Sequence, residues 1–167
     1  MTLEEAIQTA LEYETKIRDI YFEGARAVEA EAGRRIFQTL GEDEQKHIDF
    51  LNHKLRQWQA TGRIVPERLE SAVPPAEVIA RQMAKLEAQM AREDRGVRQQ
   101  MLSKALQMEI ATSQFYRKMV QELSGEGQQM FARFLEIEDA HINAVQFELD
   151  YISKTGYWLD FKEFDME

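Results

Sequence analysis

The chain repeats itself, and the repeat limits what it can fold into. Ala10-Leu11-Glu12-Tyr13-Glu14 returns as Ala105-Leu106-Gln107-Met108-Glu109, and Tyr21 and Tyr116 each follow their glutamate by seven residues. Phe37, Glu44 and His47 return as Phe131, Glu138 and His141 with the same internal spacing. The copies lie about 95 residues apart, and their internal loops differ by one residue. Each copy holds two apolar stripes spaced by three and four, the period of a helix buried on one face. Leu3, Ile7, Ala10, Ile17 and Tyr21 mark the first stripe, and Phe37, Leu40, Leu51 and Leu55 the second. Proline occurs only at 66, 74 and 75, so nothing breaks the long segments on either side. The reading is an all-α, antiparallel four-helix bundle made of two copies of one helical hairpin.

The boundaries follow from the same signals. Helical patterns cover 3–30, 34–60, 94–124 and 127–154, with breaks expected at Thr61-Gly62 and at Ser124-Gly125-Glu126-Gly127. We expect one domain over 1–167: hairpin one at 3–60, a connection and extra short helix at 61–93, hairpin two at 94–154, and an aromatic tail at 155–167. The extra helix is drawn at 76–92, where Ile79, Met83, Leu86 and Met90 share a face behind Pro74-Pro75. The tail, with Tyr157, Trp158, Phe161 and Phe164, is expected to pack on the bundle or on a partner chain.

Glutamates 14, 44, 109 and 138 and histidines 47 and 141 stand inside the apolar stripes, where core residues belong. Glu44-Gln-Lys-His47 and Glu138-Asp-Ala-His141 are Glu-x-x-His units, and positions i and i+3 of a helix share a face. Two of the chain's three histidines occupy these units. Four carboxylates and two imidazoles in duplicate are the donor set of a carboxylate-bridged two-metal site. Glu44 and Glu138 would bridge, Glu14 and Glu109 would cap, and His47 and His141 would each give a nitrogen. Two divalent ions would neutralise four carboxylates, as a buried site requires. Oxygen and nitrogen ligation without sulfur favours iron or manganese, with zinc also admissible. Tyr21 and Tyr116 lie two turns past the capping glutamates, as hydrogen-bond donors to ligand carboxylates or as core-edge aromatics with a wet tip.

Other residues are read more plainly. His53 has no counterpart in the repeat and is expected at the surface. Glu42-Asp43 reads as part of a solvated face, although Asp43 is also placed to reach a histidine across the bundle; Ile137 stands at the matching position. Methionines such as Met101, Met119 and Met130 read as core filler rather than copper ligands. A net charge of −9 argues against a basic, phosphate-tracking nucleic-acid surface. Zero cysteines exclude disulfides and thiolate sites. No apolar run nears the roughly 20 residues of a membrane span, and the N-terminus lacks a secretory pattern, so a cytoplasmic location is expected.

Taken together, Glu14 with Tyr21, Glu44-x-x-His47, Glu109 with Tyr116, and Glu138-x-x-His141 make the chain resemble the rubrerythrin branch of the ferritin-like superfamily. The resemblance covers about 3–60 and 94–154 and is nearest to the stand-alone di-iron domains. It implies a ferritin-like bundle with two iron ions, often assembled as a homodimer. The implied activity is reduction of peroxide or dioxygen; iron oxidation and storage, or a non-catalytic metal-binding bundle, are the other readings. Rubrerythrin proper carries a cysteine-rich rubredoxin domain that feeds electrons to the di-iron centre. This sequence has no cysteine, so an external electron donor is implied. The family also places a glutamate one turn past the third-helix ligand, associated with an iron shift between oxidation states, where Thr112 stands here.

Overall fold

The computed structural model describes residues 1–74 and 95–155. Four helices run through them: α1 (Leu3–Ala27), α2 (Glu31–Thr61), α3 (Arg95–Glu122) and α4 (Gly125–Thr155). The expected short helix at 76–92 and all but the first residue of the expected tail lie outside the described residues. Thr2 opens α1 with a reciprocal cap: its hydroxyl accepts from the Glu5 amide at 3.1 Å, and the Glu5 carboxylate accepts from the Thr2 amide at 2.7 Å. Gly62 closes α2 in the left-handed conformation, with φ 70°, that favours glycine.

Several boundaries differ from the expected ones by two or three residues. The chain turns extended at Val28, three residues earlier than the first stripe suggested. Helix α2 starts at Glu31 rather than 34, because Ala32 and Gly33 are already buried against the bundle. Helix α4 starts at Gly125 rather than 127. Gly127 lies inside it for a packing reason, since a Cβ there would meet Leu3 Cδ1 at 2.8 Å.

The hairpins form by close packing of α1 on α2 and of α3 on α4, and they join along α1 and α3. Within hairpin one, each helix offers a glycine to a phenylalanine of the other: Gly24 receives Phe37, and Gly41 receives Phe22. Helices α2 and α4 approach each other less closely, and residues 62–74 run along that face. Ile64, Leu69 and Val73 anchor this connector by burial. The core has two apolar layers. One holds Ile17, Ile36, Phe37, Leu40, Leu102 and Val145; the other holds Ile7, Leu51, Met119, Phe131 and Phe134. Met101, Met119 and Met130 are core residues, as expected. Among the described residues no helix is long and apolar enough to cross a membrane.

Candidate metal centre

Between the two apolar layers lies a polar one. Glu14 from α1, Glu44 and His47 from α2, Glu109 from α3, and Glu138 and His141 from α4 are all fully buried. The helical period turns each inward, as it does the leucines and phenylalanines beside them. His47 Nδ1 lies 3.0 Å from Glu44 Oε2, 3.3 Å from Glu14 Oε2 and 3.6 Å from Glu138 Oε1. His141 Nδ1 lies 2.7 Å from Glu44 Oε1 and 3.3 Å from Glu109 Oε1. The two rings stack with centroids 5.4 Å apart. Two four-ligand groups result, Glu14-Glu44-His47-Glu138 and Glu44-Glu109-Glu138-His141, each with ligand atoms within 4.8 Å of one another. Glu44 and Glu138 belong to both. All six residues singled out by the sequence are brought together, with the two central carboxylates shared.

The tyrosines act across the hairpins. The Tyr21 hydroxyl donates to Glu109 Oε1 and the Tyr116 hydroxyl to Glu14 Oε1, both buried. Residues 14 and 21 therefore meet 116 and 109, so α1 and α3 run antiparallel. Burial and the glutamates around them push both phenols well above their usual range, so the tyrosines keep their protons and remain donors.

Behind the histidines stands Asp43, buried and not part of a solvated face. Its Oδ2 accepts from His141 Nε2 at 2.8 Å and lies 3.5 Å from His47 Nε2. Burial alone would raise the Asp43 carboxyl. The hydrogen bond from His141, with the charge of both imidazoles close by, outweighs it and holds the group far below the usual carboxylate range. Each imidazole thus turns Nδ1 to the glutamates and Nε2 to Asp43. His53, with its side chain 48% exposed, is a surface residue as expected. Sequence reasoning missed Ser71 and Ala72 in the connector, both of which donate to Asp43.

Whether these residues suit cations can be judged from the acceptors left over. Both oxygens of Glu138, Glu44 Oε2 and Glu109 Oε2 are buried and accept no hydrogen bond from the protein. A buried carboxylate in that state is costly unless a proton or a metal ion meets it. Without metal, protons serve. Burial and the charge of Glu14 push Glu44 up to about 8. Burial and the charge of Glu109 push Glu138 well above its ordinary value. Glu14 bears the same burial, but His47, Glu44 and the Tyr116 hydroxyl hold it down at about 2. The shared carboxyls are therefore protonated and the outer ones are lowered. Cations would replace those protons and meet the orphaned oxygens, so the donor set fits a dinuclear site.

A family model for rubrerythrin matches residues 5–149. The chain belongs to the rubrerythrin family. Searches of curated proteins and of solved structures find no match. The rubrerythrin match spans all four helices and the whole ligand layer. At Thr112 this rubrerythrin-family chain departs from the pattern: the buried hydroxyl donates to the Met108 carbonyl at 2.8 Å and offers the centre no carboxylate.

Proposed function

We propose that the protein is a non-haem di-iron oxidoreductase that reduces peroxide or dioxygen with electrons from a separate donor. What supports this most is the sharing of Glu44 and Glu138 by two four-ligand groups, each with its own histidine. In this reading Glu44 and Glu138 would be shared between the two ions, Glu14 and Glu109 would each serve one, and His47 and His141 would each offer Nδ1. Two iron ions there would supply the two electrons that reduction of an O–O bond consumes. The remaining work falls to the protein. Tyr21 and Tyr116 fix the capping carboxylates by hydrogen bonds. The apolar layers above and below exclude bulk water and keep the electrostatics strong. A cavity of about 380 Å³ under the connector is lined by Phe50, Leu69 and Phe134, and the Phe134 ring stands edge-on to His47. These 167 residues hold no cysteine for a rubredoxin iron, so in this reading electrons would come from a donor outside them. A homodimer is the assembly the family implies.

Anaerobically purified protein should hold two irons per chain. Its absorbance should change faster on mixing with peroxide than with dioxygen. A Glu44→Ala/Glu138→Ala double variant should lose both ions, and two irons retained per chain would refute the site. Iron accumulating well beyond two per chain would favour storage instead.

A further inference from the structure

We propose that the connector makes the two halves of the duplicated centre unequal: Ser71 and Ala72 hold Asp43 against His141, so the metal position served by His141 is the stronger and fills first. This rests on the metal reading above and adds a positioning role for residues outside both hairpins.

The asymmetry begins in the repeat. Asp43 precedes the first Glu-x-x-His, while Ile137, 2% exposed, precedes the second and can accept no hydrogen bond. One carboxylate must therefore serve two imidazoles. Its orientation decides which it serves. Asp43 Oδ1 accepts from the Ala72 amide at 2.8 Å, and Oδ2 accepts from the Ser71 hydroxyl at 2.7 Å. So held, Oδ2 is 2.8 Å from His141 Nε2 but 3.5 Å from His47 Nε2. The second distance is too long for a good bond, and His47 Nε2 is a buried atom with no hydrogen-bond partner.

The connector is itself held in place. The Ser71 hydroxyl accepts from the Val73 amide at 3.1 Å, and Val73 is buried in the core. The Leu69 carbonyl accepts from Arg133 Nε on α4 at 2.9 Å. Asp43 is thus clamped from a segment tied to core and α4 alike. A carboxylate that accepts from Nε2–H fixes the imidazole's orientation and makes its Nδ1 a better donor to a metal. His141 has that partner in full and His47 does not.

The test uses the full-length, metal-free chain with cobalt(II) as the probe, followed by visible absorbance. Wild type should bind in two resolved steps. With zinc(II) and ¹⁵N-labelled protein, the His141 imidazole signals should shift before those of His47. Ser71→Ala should weaken the first step roughly tenfold and change the second by less than about twofold; Ser71→Thr should restore it. A readout independent of metal is the His141 Nε2–H resonance in the metal-free protein. It should exchange slowly in wild type and Ser71→Thr, and quickly in Ser71→Ala. Equal binding steps, or a Ser71→Ala variant with wild-type steps and exchange, would overturn the proposal while leaving the two-metal reading intact. Failure to bind any cobalt would instead overturn the metal reading, and the loading order with it.

Discussion

Lys54 and Glu138 are both buried ionisable side chains, and they are buried in opposite ways. Lys54, 1% exposed, is surrounded by oxygens: Val65 O at 2.5 Å, Glu67 Oε1 at 3.2 Å and Gln57 Oε1 at 3.3 Å, with the Phe50 ring beneath it. It ties α2 to the connector and is complete as it stands. Glu138 is equally inaccessible, yet neither of its oxygens accepts a hydrogen bond from the protein. Burial of an ionisable group therefore does not distinguish structure from function in this molecule. What distinguishes them is whether the fold supplies the partners.

The largest effect should come from supplying the missing partner. Zinc(II) added at about a thousand times its dissociation constant should stabilise the metal-free protein by about 4 kcal/mol, read from urea unfolding. The pH dependence has a definite sign. Glu44 holds a proton below about pH 8 that the ion must displace, so affinity should fall as pH falls below 8, by about tenfold per unit for that proton. Isothermal titration in buffers of different ionisation heat would count the protons released. No release at pH 7 would contradict the shared-carboxyl picture.

Glu138→Met comes next. In chelator it should stabilise the protein by about 1–2 kcal/mol, because an orphaned acceptor gives way to a side chain of similar size that needs none. The same change should abolish the gain from zinc. Destabilisation in chelator would mean that Glu138 has a partner after all.

Lys54→Met should do the reverse and do it regardless of metal. Loss of its charge-assisted bond to Val65 O should destabilise by about 1.5 kcal/mol, toward the low end for such bonds because Glu67 is half exposed. Metal content should not change. If it falls, the connector reaches the centre through Lys54 as well as through Ser71.

Much of this was legible before any coordinates. Duplication exposed the six ligand candidates, because a polar residue recurring at a core position in both copies is hard to assign to chance packing. Helix ends were less legible: Gly127 looks like a breaker in sequence, but a small side chain at a crowded helix face looks the same. Pairing across hairpins was not legible, so that Tyr21 serves Glu109 rather than Glu14 emerged only from the packing. Asp43 was ambiguous for a physical reason. Its neighbour Glu42 is exposed, and a one-residue step on a helix turns a side chain by about 100°. Ser71 and Ala72 carried no signal, since the connector has no period and its hydrogen bonds are set by where it is laid.

The crossed tyrosines carry a consequence for how such a chain comes to exist. Each hairpin contains one buried tyrosine of this kind, one capping glutamate and one Glu-x-x-His, but that tyrosine reaches only the other hairpin's glutamate. A lone hairpin therefore has every kind of part and no finished centre. Two identical hairpins associating about a twofold axis would complete it, with these hydrogen bonds running between separate molecules. Fusing them into one chain removes the need for identity, leaving positions such as 43 and 137 free to diverge.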